Sequence, residues 1–268
     1  MKKLLYIGFI FLLLIGIASC QREEDVIRVG MDLKYPPFET VIDGKPAGIS
    51  VDIAEALGEY LGKKVKVVNT EYSSLIPALQ SGEIDMILGS MSKTEERAQV
   101  VDFSKPYIYF QIISLVNKNF AQANGLTEDS TVEDLLNLEN ATFIGLASQV
   151  SVQIPESYGK QVKVATSMAT AVEDLVQGGS DILLMSGNPV ADARNANPDT
   201  TMIIWDSFRA APICVVVRKN NDQLLEKINA FIDTIFDEGG LYNQLYDKYD
   251  DEIRSILGGK GIEFYFQE

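Results

Sequence analysis

Histidine is absent from the 268 residues, and there are only two cysteines and one tryptophan. The missing imidazole removes Ser-His-Asp and Cys-His catalysis, along with the usual zinc sites, because each needs that ring as base or ligand. No metal and no other cofactor is expected. Cys214 lies in the apolar, strand-like run Pro212-Ile213-Cys214-Val215-Val216-Val217. It reads as a small buried hydrophobe rather than a reactive thiol. Positive charge is scarce as well: 23 Lys and Arg face 38 Asp and Glu, a net charge of −15. Nucleic acid is therefore excluded as a partner, since binding it requires cations set against phosphates. After Ile17 no apolar run approaches the ~20 residues that a membrane-spanning helix needs.

The N-terminus has what the remainder lacks. Lys2 and Lys3 precede a nearly unbroken apolar stretch from Leu4 to Ile17, closed by Ile17-Ala18-Ser19-Cys20. This is the layout of a secretory signal, too short to be a permanent span. Its last four residues resemble a bacterial lipobox, which implies cleavage before Cys20, lipid on the Cys20 thiol, and a location in the cell envelope outside the cytoplasm. Several acyl chains together give stable anchoring. An acylated Cys20 cannot pair with Cys214, so no disulfide is expected. Gln21-Arg22-Glu23-Glu24-Asp25 reads as a hydrophilic tether. Loss of the leader makes the chain still more acidic.

From Val26 onward, strand-like and helical runs alternate. Val26–Met31, Val65–Val68 and Asp85–Leu88 read as strands, with helices over Ser50–Leu61, where Ser50 is a candidate N-cap, and from Ser74 to Leu79. A second series follows: strands at Thr142–Leu146, Val162–Val164 and Asp181–Met185, with helices near Ser148–Pro155 and Ser167–Gln177. Strand–helix alternation predicts an α/β fold with parallel sheets, and two series predict two lobes. Two longer strand-like runs, Tyr107–Val116 and Ala211–Arg218, bracket the second series as chain crossings would. The expected division is a signal peptide at 1–19, a tether at 20–25, a first lobe at 26–109 and a second at 110–212. The chain then returns to the first lobe over 213–257, through helices at Asp222–Phe236 and Gly240–Leu257. Residues 258–268 form a tail with no assigned place.

Several blocks in this order carry a resemblance. They are Asp32-Leu33-Lys34-Tyr35-Pro36-Pro37-Phe38-Glu39, Ala47-Gly48-Ile49-Ser50-Val51-Asp52-Ile53, the run Tyr72–Asp85, Thr94-Glu95-Glu96-Arg97 and Val101-Asp102-Phe103-Ser104-Lys105-Pro106-Tyr107. Together they resemble the polar amino-acid-binding proteins of ABC importers, solute-binding protein family 3, across essentially the whole mature chain. The resemblance implies a two-lobe, periplasmic-binding-protein-like type II fold with two crossover strands that closes on a small carboxylate-bearing ligand. It also implies a monomer that hands its ligand to an ABC permease in the membrane.

By the same resemblance, Arg97 holds the ligand carboxylate, and a planar guanidinium suits that role because it can bond bidentately. The Ser90 carbonyl would accept from a ligand amine, and the Ser92 N–H and hydroxyl would donate to the carboxylate. Gln149, Val150 and Ser151 open a helix whose free N–H groups suit an anion. Tyr35 and Tyr72 match positions that stack rings on the ligand side chain, and Asp32 matches a carboxylate that touches polar or basic side chains.

One departure stands out. Where relatives place the aspartate that holds the ligand's α-ammonium, counting from Asp181 arrives at Ser186. Serine brings no charge, so the ligand is either an amino acid whose amine is paired otherwise, for instance by Asp32 or Glu71, or a carboxylate whose amine is absent, blocked or elsewhere. Two other functions share the fold: a cyclohexadienyl-dehydratase-like enzyme and a sensor ectodomain. The cleft segments show no second acid beside Arg97, and no later apolar run could link a sensor to a membrane. Binding without catalysis is therefore the expectation.

Overall fold

The structure, a computed structural model, describes residues 26–266 apart from Ser148. The leader, Cys20 and the tether lie outside the described residues. Two compact units are present. The first takes the chain up to Lys105 and again over Cys214–Tyr242; the second takes Pro106–Ile213 and Asn243 onward.

The first unit is built on β1 (Val26–Met31), with β4 (Lys64–Asn69) on one side and β5 (Met86–Ile87) on the other, all parallel. Between β1 and β4 come the short antiparallel pair β2 (Thr40–Ile42) and β3 (Lys45–Ala47) and helix α1 (Ile49–Tyr60). Ile49, Ile53 and Leu57 recur every fourth residue, so one face of α1 is apolar and buried. Helix α2 (Leu75–Ser81) ends at Gly82 in the left-handed conformation that a helix C-terminus favours. Leu75 and Leu79 pack with Ile84, Ile87, Met91 and Val101 in a cluster without solvent contact. Each such side chain contributes roughly 1.5–3 kcal/mol. Asp85 ties β1 to the segment before β5, receiving Arg28 Nε at 3.0 Å and Nη2 at 2.7 Å.

The start of α1 differs from the sequence expectation. Its cap is Gly48, not Ser50, which sits inside the first turn and is fully buried. The first helical N–H groups are satisfied by the preceding loop: Ile49 donates to the Pro37 carbonyl at 3.0 Å and Ser50 to that of Phe38 at 2.9 Å. That approach requires glycine at 48, where φ is +119° and a Cβ would lie 2.4 Å from the Phe38 oxygen.

The long strands β6 (Val101–Asn117) and β10 (Thr201–Arg218) each run from one unit into the other. In the first unit, β10 pairs antiparallel with β5 through Val216 and Val217. Cys214 is free and fully buried, and burial pushes its thiol up to about 12.

In the second unit β9 (Ile182–Ser186) lies between β6, to which it is antiparallel, and β7 (Phe143–Leu146), to which it is parallel; β8 (Val162–Ala165) pairs parallel with β7. Helix α3 (Glu95–Ala98), which belongs to the first unit, and helices α4 (Lys118–Ala123) and α5 (Val132–Leu136) of the second are short. The crossovers are α6 (Val150–Ser157) and α7 (Met168–Val176), the latter capped by Ser167. Helix α8 (Gly187–Ala196) follows β9, and α9 (Asp222–Ile232) and α10 (Leu241–Ile256) close the chain.

The chain over 213–257 is divided between the two units. Helix α9 belongs to the first unit, but from Asn243 the chain is in the second. The reason is the segment after Gly258. Ile262 and Tyr265 are buried, the Tyr265 hydroxyl donates to Asn188 Oδ1, and its ring meets Phe110 edge-on at 5.6 Å. Gly187 leaves room for this packing, since a Cβ there would lie 2.8 Å from Phe264. Arg254 fastens the segment, bonding Asp250 at 2.7 Å and Glu263 at 3.2 Å. The terminal segment, unplaced from sequence, is part of the second unit's core. Tyr265→Ala should therefore cost about 3 kcal/mol of stability, the range for emptying a buried aromatic site. Chemical denaturation followed through Trp205, which packs against Phe264 at 6.1 Å, measures this directly; an unchanged midpoint would mean that the segment is not part of the core.

Candidate functional site

Strands β1, β4 and β5 are parallel neighbours, so their C-terminal ends lie along one edge of the first unit's sheet. The segments that leave this edge carry the expected residues: Asp32 and Tyr35 follow β1, Tyr72 follows β4, and Ser90 and Ser92 follow β5. Sites in open α/β sheets form at this edge because successive loops converge there.

The structure connects four of these residues in a chain of contacts. Tyr72 N–H donates to Asp32 Oδ2 at 3.0 Å. The Arg97 guanidinium lies over the Tyr72 ring, 5.6 Å from its centroid, within cation–π range. Arg97 Nη1 then donates to the Ser92 carbonyl at 2.8 Å. The backbone of Arg97 is fixed as well, because Thr94 caps α3 by accepting from Arg97 N at 3.2 Å. Arg97 is thus a half-buried cation held in place from two sides.

The two carboxylates near this chain differ. Glu71 pairs with Lys34, and both side chains are well exposed. Asp32 is half-buried, and its Oδ1 is out of contact with solvent with no hydrogen-bond partner among the described residues. Tyr35 stacks on Phe38, ring centroids 5.8 Å apart and planes 28° from parallel. Burial raises the Tyr72 phenol above its ordinary value, and the Arg97 charge pulls it partly back.

Ser90 departs from the rest. Its φ is +53°, in the left-handed region that residues other than glycine seldom adopt. Its hydroxyl donates to Glu39, 2.8 Å from Oε1 and 2.9 Å from Oε2. Glu39 is 1 % exposed, and sequence reasoning gave it no role. Nothing in the local pattern signalled it, because the contact joins residues 51 positions apart.

In the second unit, Gln149, Val150 and Ser151 follow β7, and Ser186 closes β9, so both groups stand at C-terminal ends of adjacent parallel strands. Gln149 is the N-cap of α6 but makes no side-chain cap bond. The Ser151 side chain is fully buried and accepts from Leu146 N at 2.9 Å, which joins the helix to its strand. Ser186 is the N-cap of α8 and buried, as is Asn188 two residues on. Asn188 Nδ2 has no hydrogen-bond partner among the described residues. Among the described residues no group of three or more acidic or cysteine side chains could hold a metal ion, and no helix is long and apolar enough to cross a membrane.

Comparison with known proteins agrees with this arrangement. The chain is 32 % identical to an L-arginine-binding protein of Pseudomonas aeruginosa over 257 residues, covering 93 % of this chain and 96 % of the relative. It is 26 % identical to the L-cystine-binding protein TcyJ of Escherichia coli over 229 residues, covering 84 % and 83 %. An ancestral arginine-binding protein solved with arginine superposes with a TM-score of 0.66 at 30 % identity, over 84 % of this chain and 98 % of that one. The ancestral amino acid-binding protein AncCDT-1, a precursor of cyclohexadienyl dehydratase, gives 0.67 at 28 % identity, over 84 % and 95 %. The model of bacterial extracellular solute-binding proteins, family 3, matches residues 27–252. With a family match over most of its length, and similar structures of the same two-lobe α/β build, the chain belongs to the bacterial extracellular solute-binding proteins, family 3.

Proposed function

We propose that this protein captures an amino acid with a cationic side chain outside the cytoplasm and delivers it to an ABC importer. The observation that carries the reading is Asp32. One of its oxygens is bonded to Tyr72 N–H, while the other is buried without a hydrogen-bond partner among the described residues. A buried acceptor left unmade is costly, and a ligand ammonium or guanidinium would relieve it. Glu71 is less suited to the task, being exposed and paired with Lys34.

The remaining roles follow from chemistry. Arg97 takes the ligand carboxylate bidentately, with Ser92 supplying further donors, and the Ser90 carbonyl accepts from the amine. Tyr35 and Tyr72 offer ring faces to the side chain. Gln149, Val150, Ser151 and Ser186 enter the same proposal as second-unit residues that the ligand would touch. Ser151 would do so through its backbone, since its hydroxyl oxygen serves Leu146. The arginine-bound and glutamine-bound ancestral neighbours, at 30 % identity, support an amino acid as the ligand class. Binding is preferred to acid catalysis because the buried acid beside the Ser90–Ser92 segment, Glu39, is sealed from solvent and occupied by Ser90.

Four outcomes test this reading. A thermal-shift and calorimetric panel of amino acids should show strong stabilisation by L-arginine. Arg97→Ala should weaken that binding by about 2–5 kcal/mol, the usual cost of leaving a buried charge partner unpaired; equal affinity in the variant would sink the assignment. Asp32→Asn should weaken L-arginine by about tenfold or more, the effect of one charge-assisted bond, with L-glutamine changed much less. An equal loss for both ligands would show that Asp32 does not read the side-chain charge. Anchoring through Cys20 predicts that Cys20→Ser moves the protein from the membrane fraction to the soluble fraction of the envelope, and unchanged fractionation would refute it.

A further inference from the structure

Glu39 is a buried carboxyl that the ligand contacts above do not use. Its backbone closes the loop after β1: Tyr35 N donates to the Glu39 carbonyl at 2.8 Å, and Glu39 N donates to that of Tyr35 at 2.9 Å. Its side chain reaches across to the segment after β5, where both carboxyl oxygens lie within hydrogen-bond distance of the Ser90 hydroxyl. Ser90 holds a left-handed conformation without being glycine, and such a residue persists where its surroundings enforce it. Here the enforcing contact is visible.

What the conformation controls is equally visible. Ser90 sets the direction of its own carbonyl and of the chain through Met91, which is 1 % exposed, to Ser92. The Ser92 carbonyl holds Arg97. The stretch from Ser90 to Ser92 is therefore fixed at one end by Glu39 and at the other by Arg97. The loop that anchors Glu39 is also the loop that presents Asp32 and Tyr35.

We propose that Glu39 is a positioning residue of the ligand site, its buried carboxyl holding Ser90 in the left-handed conformation and so fixing the Ser90–Ser92 backbone against which Arg97 is set. The inference rests on the assignment of that segment to the ligand and adds the device that orients it.

The charge state of Glu39 supplies a distinctive readout. Burial pushes it up to about 8; the Ser50 and Ser90 hydroxyls pull it down, and Asp32 raises it. The Ser50 hydroxyl is itself fully buried and has no partner at hydrogen-bond geometry among the described residues. Tyr72 is the other ionisable neighbour coupled to Glu39, and Arg97 lies over Tyr72. A folded value raised above that of the unfolded chain means stabilisation that is complete at acid pH and lost as pH rises through about 8. Over that window Glu39 becomes a second negative charge near Asp32, inside the segment it positions.

The experiment uses wild type, Glu39→Ala and Glu39→Gln in the full mature chain, with L-arginine as probe and titrations from about pH 6.5 to 9. Glu39→Ala should bind at least about tenfold more weakly at neutral pH, the effect of losing one buried hydrogen bond to a charged or acidic group. Glu39→Gln, which keeps an acceptor for Ser90, should restore most of that loss. Wild-type affinity should change across the window while Glu39→Gln stays flat. A folded Glu39→Ala that binds like wild type, or matching pH profiles for wild type and Glu39→Gln, overturns the proposal.

The ligand-free protein gives an independent readout, since the Ser90 and Ser92 amide resonances should titrate near pH 8 in wild type but not in Glu39→Gln. If they titrate while no amino acid binds, the functional reading falls and the structural link from Glu39 to Ser90–Ser92 stands. If they do not titrate, the positioning role falls whatever is bound.

Discussion

A guanidinium held between an aromatic face and a carbonyl is the constraint around which the first unit is organised. Arg97 is stacked on Tyr72 and bonded to the Ser92 carbonyl, so its direction is set by the fold itself. A freely rotating arginine would lose its rotamer entropy on binding; a fixed one has already lost it in folding. Each support comes from a different strand end, Tyr72 from β4 and Ser92 from β5, while Asp32 after β1 anchors the Tyr72 backbone. The parallel sheet is what makes these three supports neighbours.

Charge is arranged with similar economy. In a chain with net charge −15, most acids are solvated, and the informative ones are those removed from water. Asp32 keeps one buried oxygen without a hydrogen-bond partner among the described residues, a standing preference for a donor. Glu39 is buried more completely, and burial pushes it up to about 8, so it carries charge far less readily than a solvated carboxyl. Two carboxyls of one loop thus serve different purposes, separated by how far each is withdrawn from solvent.

The second unit meets a different demand. Its Gln149–Ser151 and Ser186 segments also stand at strand C-termini, but the side chains of Ser151 and Asn188 are engaged in holding helices to strands and to the terminal segment. Tyr265, Phe264 and Leu257 fill the space beside the start of α8, immediately after Ser186. The neutral Ser186 thus stands at the start of a helix that is backed by aromatic side chains.

Periodicity and spacing alone determined a good deal: the strand–helix alternation, the apolar face of α1 and the two long strands, while the order of the blocks carried the family resemblance. These features are local, or repeat at fixed intervals along the chain, so a single sequence displays them. Asp32, Tyr72, Ser92 and Arg97 were named through the family resemblance, and the strand pattern by itself shows only that Asp32, Tyr72 and Ser92 follow strand ends. Only the tertiary structure decided the rest. The Glu39–Ser90 bond spans 51 positions, the Gly48 cap depends on carbonyls of a preceding loop, and the terminal segment packs on a helix that begins about seventy residues earlier. Burial and long-range hydrogen bonding depend on which surfaces meet, and no residue carries that information alone.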